Sequence, residues 1–218
     1  MSETITNAQR TTGRIGLAVL LILIFAGANK FGTLFLHLDP LASRDLFWWS
    51  MLFITLLYVR FVERRPFSSI GLIGPRWTTL LFGVVTALVL MYVAFPLTVW
   101  LVATLHLSAN AGNAAANIYA HTPYWYHWLL VTRAAFAEEV IFRGYMIQRT
   151  EDLTGSRILA AVLSLVTFCD AHLAFWGWIP LIGIAAASVP LIALYLWRRD
   201  LWACILAHWI TDAAQLIV

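Results

Sequence analysis

Runs of about 20 apolar residues recur along the whole chain, and that length is what a ~30 Å hydrocarbon core demands of a helix. They lie near 15–36, 46–62, 77–105, 124–148, 157–175, 178–197 and 200–218. Inside a bilayer every backbone N–H and C=O must be bonded within the protein, so each run is expected to be a helix. Composition agrees: 61% of the 218 residues are hydrophobic, 11% are charged and the mean hydropathy is +0.81. A soluble domain carries roughly 25% charged residues. These values exclude a soluble globular domain, a disordered chain and a nucleic-acid binder with a basic face. The expectation is an all-α, polytopic transmembrane helical bundle of about seven spans. A polar tail (1–14) precedes N-terminal helices and a weakly hydrophobic loop (15–122), and a helical core follows (123–218).

Charge sets an expected orientation. With the N-terminus on the cytoplasmic side, the inner segments hold Arg10, Arg14, Arg60, Arg64, Arg65, Arg76, Arg149, Arg157, Arg198 and Arg199, and the outer ones only Arg44. This is the bias of positively charged inner loops, and an odd number of spans then puts the C-terminus outside. Aromatic clusters at run ends, FWWS (47–50), YWYHW (124–128) and FWGW (175–178), read as interface anchors. Pro96 predicts a kink or tilt in the long third run. Cys169 and Cys204 lie inside apolar runs and suggest neither a disulfide framework nor a metal motif.

Ionisable residues inside apolar runs are expensive, at about 2.5–3.5 kcal/mol each on insertion scales, and mark function. They gather in the last four runs: Arg133, Glu138, Glu139, Arg143, Asp170, His172, His208 and Asp212. The first three runs are almost free of them, apart from Lys30, so the site is expected among the C-terminal four helices. Glu139 and Arg143 are spaced i, i+4 and can pair on one helix face. Glu138 sits ~100° round the helix and is left as the less compensated acid, suited to act as a general base. Phe168 and His172 share a face, as do His208 and Asp212. Counted from the expected inner helix ends, His172 lies about 15 residues deep and Glu138 and His208 nearer ten, which requires a tilt or offset in the fifth helix.

Two chemistries fit carboxylate, imidazole, imidazole and carboxylate in a dry cavity. One is hydrolysis by a general base, with an oxyanion stabilised nearby. The other is a zinc-like site with Glu138, His172 and His208 as ligands and an open position for water. The sequence contains neither HExxH nor GxSxG.

The motifs Glu138-Glu139-Val-Ile-Phe-Arg143-Gly144-Tyr145, Phe168-Cys-Asp-Ala-His172 and His208-Trp-Ile-Thr-Asp212 resemble, in order, the EExxxR, FxxxH and Hxxx(N/D) motifs of the CPBP family. That family includes type II CaaX prenyl endopeptidases and bacteriocin-processing and immunity proteins. The resemblance covers about 125–215, and RRPFSSIGL (64–72) is similar to a stretch often found before that domain. It implies an intramembrane protease open toward the cytoplasm, in which Glu138 and His172 activate water, His208 and residue 212 stabilise the oxyanion, and Glu139, Arg143 and Phe168 shape the site. The resemblance favours a metal-free, glutamate-dependent reaction without a cofactor. Two positions depart from the family: Asp212 stands where prenyl-processing relatives usually have Asn, and Asp170 where the family is usually small or apolar. The expected partners are membrane lipid and a lipidated, hydrophobic or membrane-anchored peptide, in a bacterial or archaeal cytoplasmic membrane. Two other readings are a non-proteolytic immunity or scaffold protein of the same fold and a proton or ion pathway.

Overall fold

The computed structural model describes residues 7–27, 40–107 and 121–217, with the side chains of 22–27, 40–42 and 174 excepted. Lys30 and most of the 108–123 loop lie outside the described residues. Within them the chain is helical and contains no strand. Among the described residues, seven helical rods follow one another. They are α1 (Asn7–Gly27), α2 (Pro40–Leu57, extended by a π turn at Tyr58–Val62) and α3 (Trp77–Thr104). Then come α4 (124–154), α5 (Arg157–Trp176), α6 (Pro180–Arg198) and α7 (Leu201–Ala214).

By length and composition, three helices among the described residues can cross a membrane: Ser43–Val62, Trp77–Thr104 and Pro180–Arg198. The Leu201–Ala214 helix is apolar but shorter. Much of the α3 surface is bare apolar side chain, including Leu80, Val84, Leu88 and Trp100. A surface of that size and character needs lipid to cover it.

The helix ends have local causes. Gly155 takes the left-handed conformation (φ 71°) that closes α4, and Ser156 then caps α5 by accepting the Leu159 N–H. A two-residue turn results. Asp200 caps α7 in the same way, accepting from the Ala203 N–H. In α3 the π turn at Leu90–Ala94 lies just before Pro96. Proline supplies no N–H and crowds the preceding turn, so the widened turn accommodates the ring where a kink is expected.

Several boundaries differ from the sequence expectation: α2 begins at Pro40 where a start near 46 is expected, and α7 ends at Ala214 where 218 is expected. Helix α1 begins at Asn7, so part of the polar tail is helical. Helix α4 continues past 148 to Thr154, where ion pairs hold its polar end. Arg149, expected at the inner helix end, is 1% exposed. Its guanidinium binds both Glu63 oxygens, with Nε 2.8 and 3.0 Å from them. It also reaches Asp152 and Ser69. Tyr145 adds an O–H bond to Glu63. Arg65 pairs with Asp152 at 2.6 Å, and Glu151 pairs with Arg157 and Arg199. Five of the arginines expected on the inner side, Arg10, Arg65, Arg149, Arg157 and Arg199, thus gather around this end of α4.

Small residues let helices approach. The Thr79, Gly83 and Ala87 face of α3 is buried, as are Ala203 and Ala207 of α7. A Cβ at Gly83 would lie 2.9 Å from Leu206 Cδ2 and 3.1 Å from the Ala203 carbonyl. Between equally apolar helices and lipid, such close packing is a main source of association. Gly144 does the same for the 64–72 segment, where an added Cβ would stand 3.0 Å from the Ile70 carbonyl. Gly71 (φ 83°) turns that segment, and its carbonyl accepts the Leu201 N–H at 2.9 Å. Replacing Gly83 by Leu should separate α3 from α7 and destabilise the protein by about 2–3 kcal/mol. Thermal unfolding in detergent measures this, with the solvent-facing Gly155→Ala as a turn control, expected to act through strain instead of packing.

Candidate active site

Helix α4 carries Glu138, Glu139 and Arg143 and changes pitch among them. Tyr124–Glu138 is α-helical, Glu139–Ile147 is π-helical and Gln148–Thr154 is α-helical again. The wider turns displace carbonyls from the regular ladder, and neighbouring helices take two of them. Ser164 Oγ donates to the Phe142 carbonyl at 3.0 Å and Tyr195 O–H to the Gly144 carbonyl at 3.3 Å. Such π segments recur at functional positions.

Glu139 and Arg143 are both 0% exposed and meet at 3.2 Å, as their i, i+4 spacing predicts. Arg143 also donates to Ser188 Oγ of α6 at 2.8 Å and lies 4.1 Å above the Phe168 ring of α5. Glu139 Oε1 further accepts from His208 Nδ1 of α7 at 2.9 Å. One ion pair therefore touches three other helices.

Glu138 faces elsewhere. Its Oε2 is 3.6 Å from His172 Nε2. The opposite ring nitrogen, Nδ1, lies 2.7 Å from the Phe168 carbonyl. A carbonyl only accepts, so Nδ1 carries the proton, and in neutral His172 the Nε2 lone pair points toward Glu138. The ring also lies against Phe168, centroids 4.4 Å apart.

Depth is not an obstacle to this meeting. Glu138 stands 16 residues before Thr154, and His172 stands 15 residues after Arg157. Across a two-residue turn those counts match, so α5 needs no special tilt. The mismatch expected from sequence came from ending α4 too early. Helix α7 instead starts deep in the bundle, with Leu201 fully buried against Gly144 and Asp200 2% exposed.

His208 is bracketed by carboxylates. Beyond the Nδ1 bond to Glu139, its Nε2 is 3.4 Å from Asp212 Oδ2. Two lone pairs facing each other repel, so a proton belongs between Nε2 and Asp212, on either atom. Asp212 is the most exposed of the predicted site residues. Asp170 is half-buried, and its Oδ2 has no hydrogen bond among the described residues. Cys204 is buried and its thiol lies 3.7 Å from the Leu191 and Asp200 carbonyls.

One electrostatic expectation changes. Glu138 is not left without a cation: Arg133 NH1 is 3.7 Å from its Oε1. Arg133 is held in turn by Asp45 of α2, whose Oδ1 is 3.0 Å from Arg133 Nε. Sequence reasoning placed Arg133 in a span but gave it no role. The five-residue spacing to Glu138 falls outside the usual i, i+4 pairing, and Asp45 lies far away in sequence.

The zinc-like alternative needs Glu138, His172 and His208 turned to one point. Here both His208 nitrogens face other carboxylates, Glu139 and Asp212. Among the described residues no group of three or more His, Cys, Asp or Glu side chains is arranged to hold a metal ion.

Residues 120–214 match the family described as type II CAAX prenyl endopeptidase Rce1-like. The matched segment contains all three motifs and supports the resemblance read from them. No curated protein and no solved structure matches the chain.

The buried pair gives a stability test. Arg143→Leu strands the Glu139 charge and should cost about 3–5 kcal/mol. Glu139→Gln combined with Arg143→Leu removes both charges and should recover part of that loss. Thermal unfolding of the single and double variants reads the difference.

Proposed function

Starting from a C-terminal Rce1-like type II CAAX prenyl endopeptidase domain, we propose that the protein is a glutamate-dependent intramembrane endopeptidase. The observation that carries this reading is the pair of acceptors Glu138 Oε2 and His172 Nε2, 3.6 Å apart. That distance is too long for a direct hydrogen bond. One water about 2.8 Å from each would donate a proton to both and have its oxygen lone pair free.

The reaction follows from the geometry. As the water oxygen attacks the peptide carbonyl, Glu138 takes one of its protons while His172 Nε2 aligns the other. The carbonyl oxygen gains negative charge near α7, where His208, protonated between Glu139 and Asp212, stabilises it through its positive charge. Collapse of the tetrahedral intermediate breaks the C–N bond, and Glu138 returns its proton to the leaving amine. Asp212 beside Nε2 sets the proton on His208, a role that an aspartate fills as well as the usual asparagine. Glu139 and Arg143 hold His208 from its other nitrogen. We read the site as working without a metal, which the engagement of both His208 nitrogens supports.

The protein is an integral membrane protein by its apolar helices and by the family that residues 120–214 match. We propose further that all seven rods span the membrane, with the N-terminus and the arginine-rich end of α4 on the cytoplasmic side. The substrate class named by the matched family is a prenylated CaaX peptide, whose lipid would lie in the bilayer beside the site.

Glu138→Gln and His172→Ala should each slow cleavage of a farnesylated CaaX peptide by about 10²–10⁴-fold. Wild-type and variant membranes are also compared by mass spectrometry of protein C-termini. A product made only by the wild type is expected, and a chelator should leave it unchanged. Variants that yield the same products as wild type would exclude proteolysis at this site.

A further inference from the structure

Arg133 belongs to none of the three motifs, yet it is one of three buried arginines of α4, 3% exposed. It is shared between two carboxylates at unequal distances: Asp45 Oδ1 at 3.0 Å and Glu138 Oε1 at 3.7 Å. Asp45 is itself buried and accepts a hydrogen bond from the Tyr126 hydroxyl. Neither Nε nor NH1 of Arg133 makes an aligned hydrogen bond, so the contacts are ionic.

Resting on the reading of Glu138 as general base, we infer that Arg133, set by Asp45, is a positioning residue that keeps Glu138 ionised and turned toward His172. The physical need is clear from the neighbours. Glu138 and Glu139 are adjacent carboxylates in a low-dielectric interior, where each disfavours the other's charge. Arg143 is already engaged by Glu139, Ser188 and the Phe168 ring. His172, with its Nδ1 proton given to Phe168, offers Glu138 a lone pair when neutral. Arg133 is the nearest arginine left to compensate Glu138.

The distance matters as much as the charge. A guanidinium bonded directly to Glu138 would occupy the lone pairs that a water proton must reach. At 3.7 Å it supplies attraction and leaves the carboxylate free to accept. Asp45 holds it there by competing for the same cation. Asp45→Asn should let Arg133 close on Glu138 and slow turnover although the cation is retained.

The test combines stability and activity. Arg133→Gln should lower the unfolding temperature by about 5 °C or more when residue 138 is Glu. In the Glu138→Gln background the loss should be less than half as large, because a neutral residue needs no cation. The orphaned Asp45 is common to both backgrounds and cancels. With a farnesylated CaaX peptide as probe, Arg133→Gln should lower kcat by about tenfold or more with KM changed by less than about twofold. Arg133→Lys keeps the charge and should recover most of that loss. Equal thermal losses in both backgrounds, or Lys no better than Gln, would overturn the inference. If the wild type does not cleave the peptide, the proposed activity on that substrate fails, while the thermal comparison still decides whether Arg133 acts on Glu138.

Discussion

The Glu139–Arg143 ion pair is the contact on which the bundle depends. Both side chains are wholly buried. Removing two charges from water costs several kcal/mol per ion, and close partners offset part of that cost. The partners come from three of the helices around α4: Ser188 from α6, the Phe168 ring from α5 and His208 from α7. Apolar packing alone sets helix register weakly in a membrane, since lipid is as apolar as leucine. A pair that must be satisfied by three helices permits far fewer arrangements.

This constraint explains how neighbouring glutamates serve different ends. The α-to-π transition falls between Glu138 and Glu139. Glu139 turns to α7 and is consumed by structure. Glu138 turns to α5, where His172 meets it at 3.6 Å without a direct hydrogen bond. Farther along α4, Gly144 admits Ile70 and Leu201, and Arg149 binds Glu63 and Ser69. The 64–72 segment is thus clamped beneath the site and fixes where α7 begins.

Much of the candidate site's geometry is legible in the sequence because its contacts are local. The Glu139–Arg143 and His208–Asp212 contacts follow from i, i+4 spacing on helices. Their convergence with His172 came from three motifs in order, each too costly in an apolar run to be incidental. What was not legible depends on distance in the chain or on pitch. Asp45 and Arg133 meet across two helices, and Arg133 reaches Glu138 at a five-residue spacing. Ser188 carries no charge to draw attention in an apolar run. Arg149 looked like the end of a helix because an isolated arginine usually seeks the interface. Its burial is offset mainly by Glu63, which lies far away in the chain. That error shortened α4 and created a depth mismatch that the structure does not contain.

The central claim is that Glu138 and His172 act on one water. Two groups acting on a single event are non-additive when removed. Single-turnover cleavage rates of Glu138→Gln, His172→Ala and the double variant, each normalised to folded protein, test this directly. The account predicts that the double variant is no slower than the slower single variant. Losses that multiply would show two independent contributions and contradict a shared water.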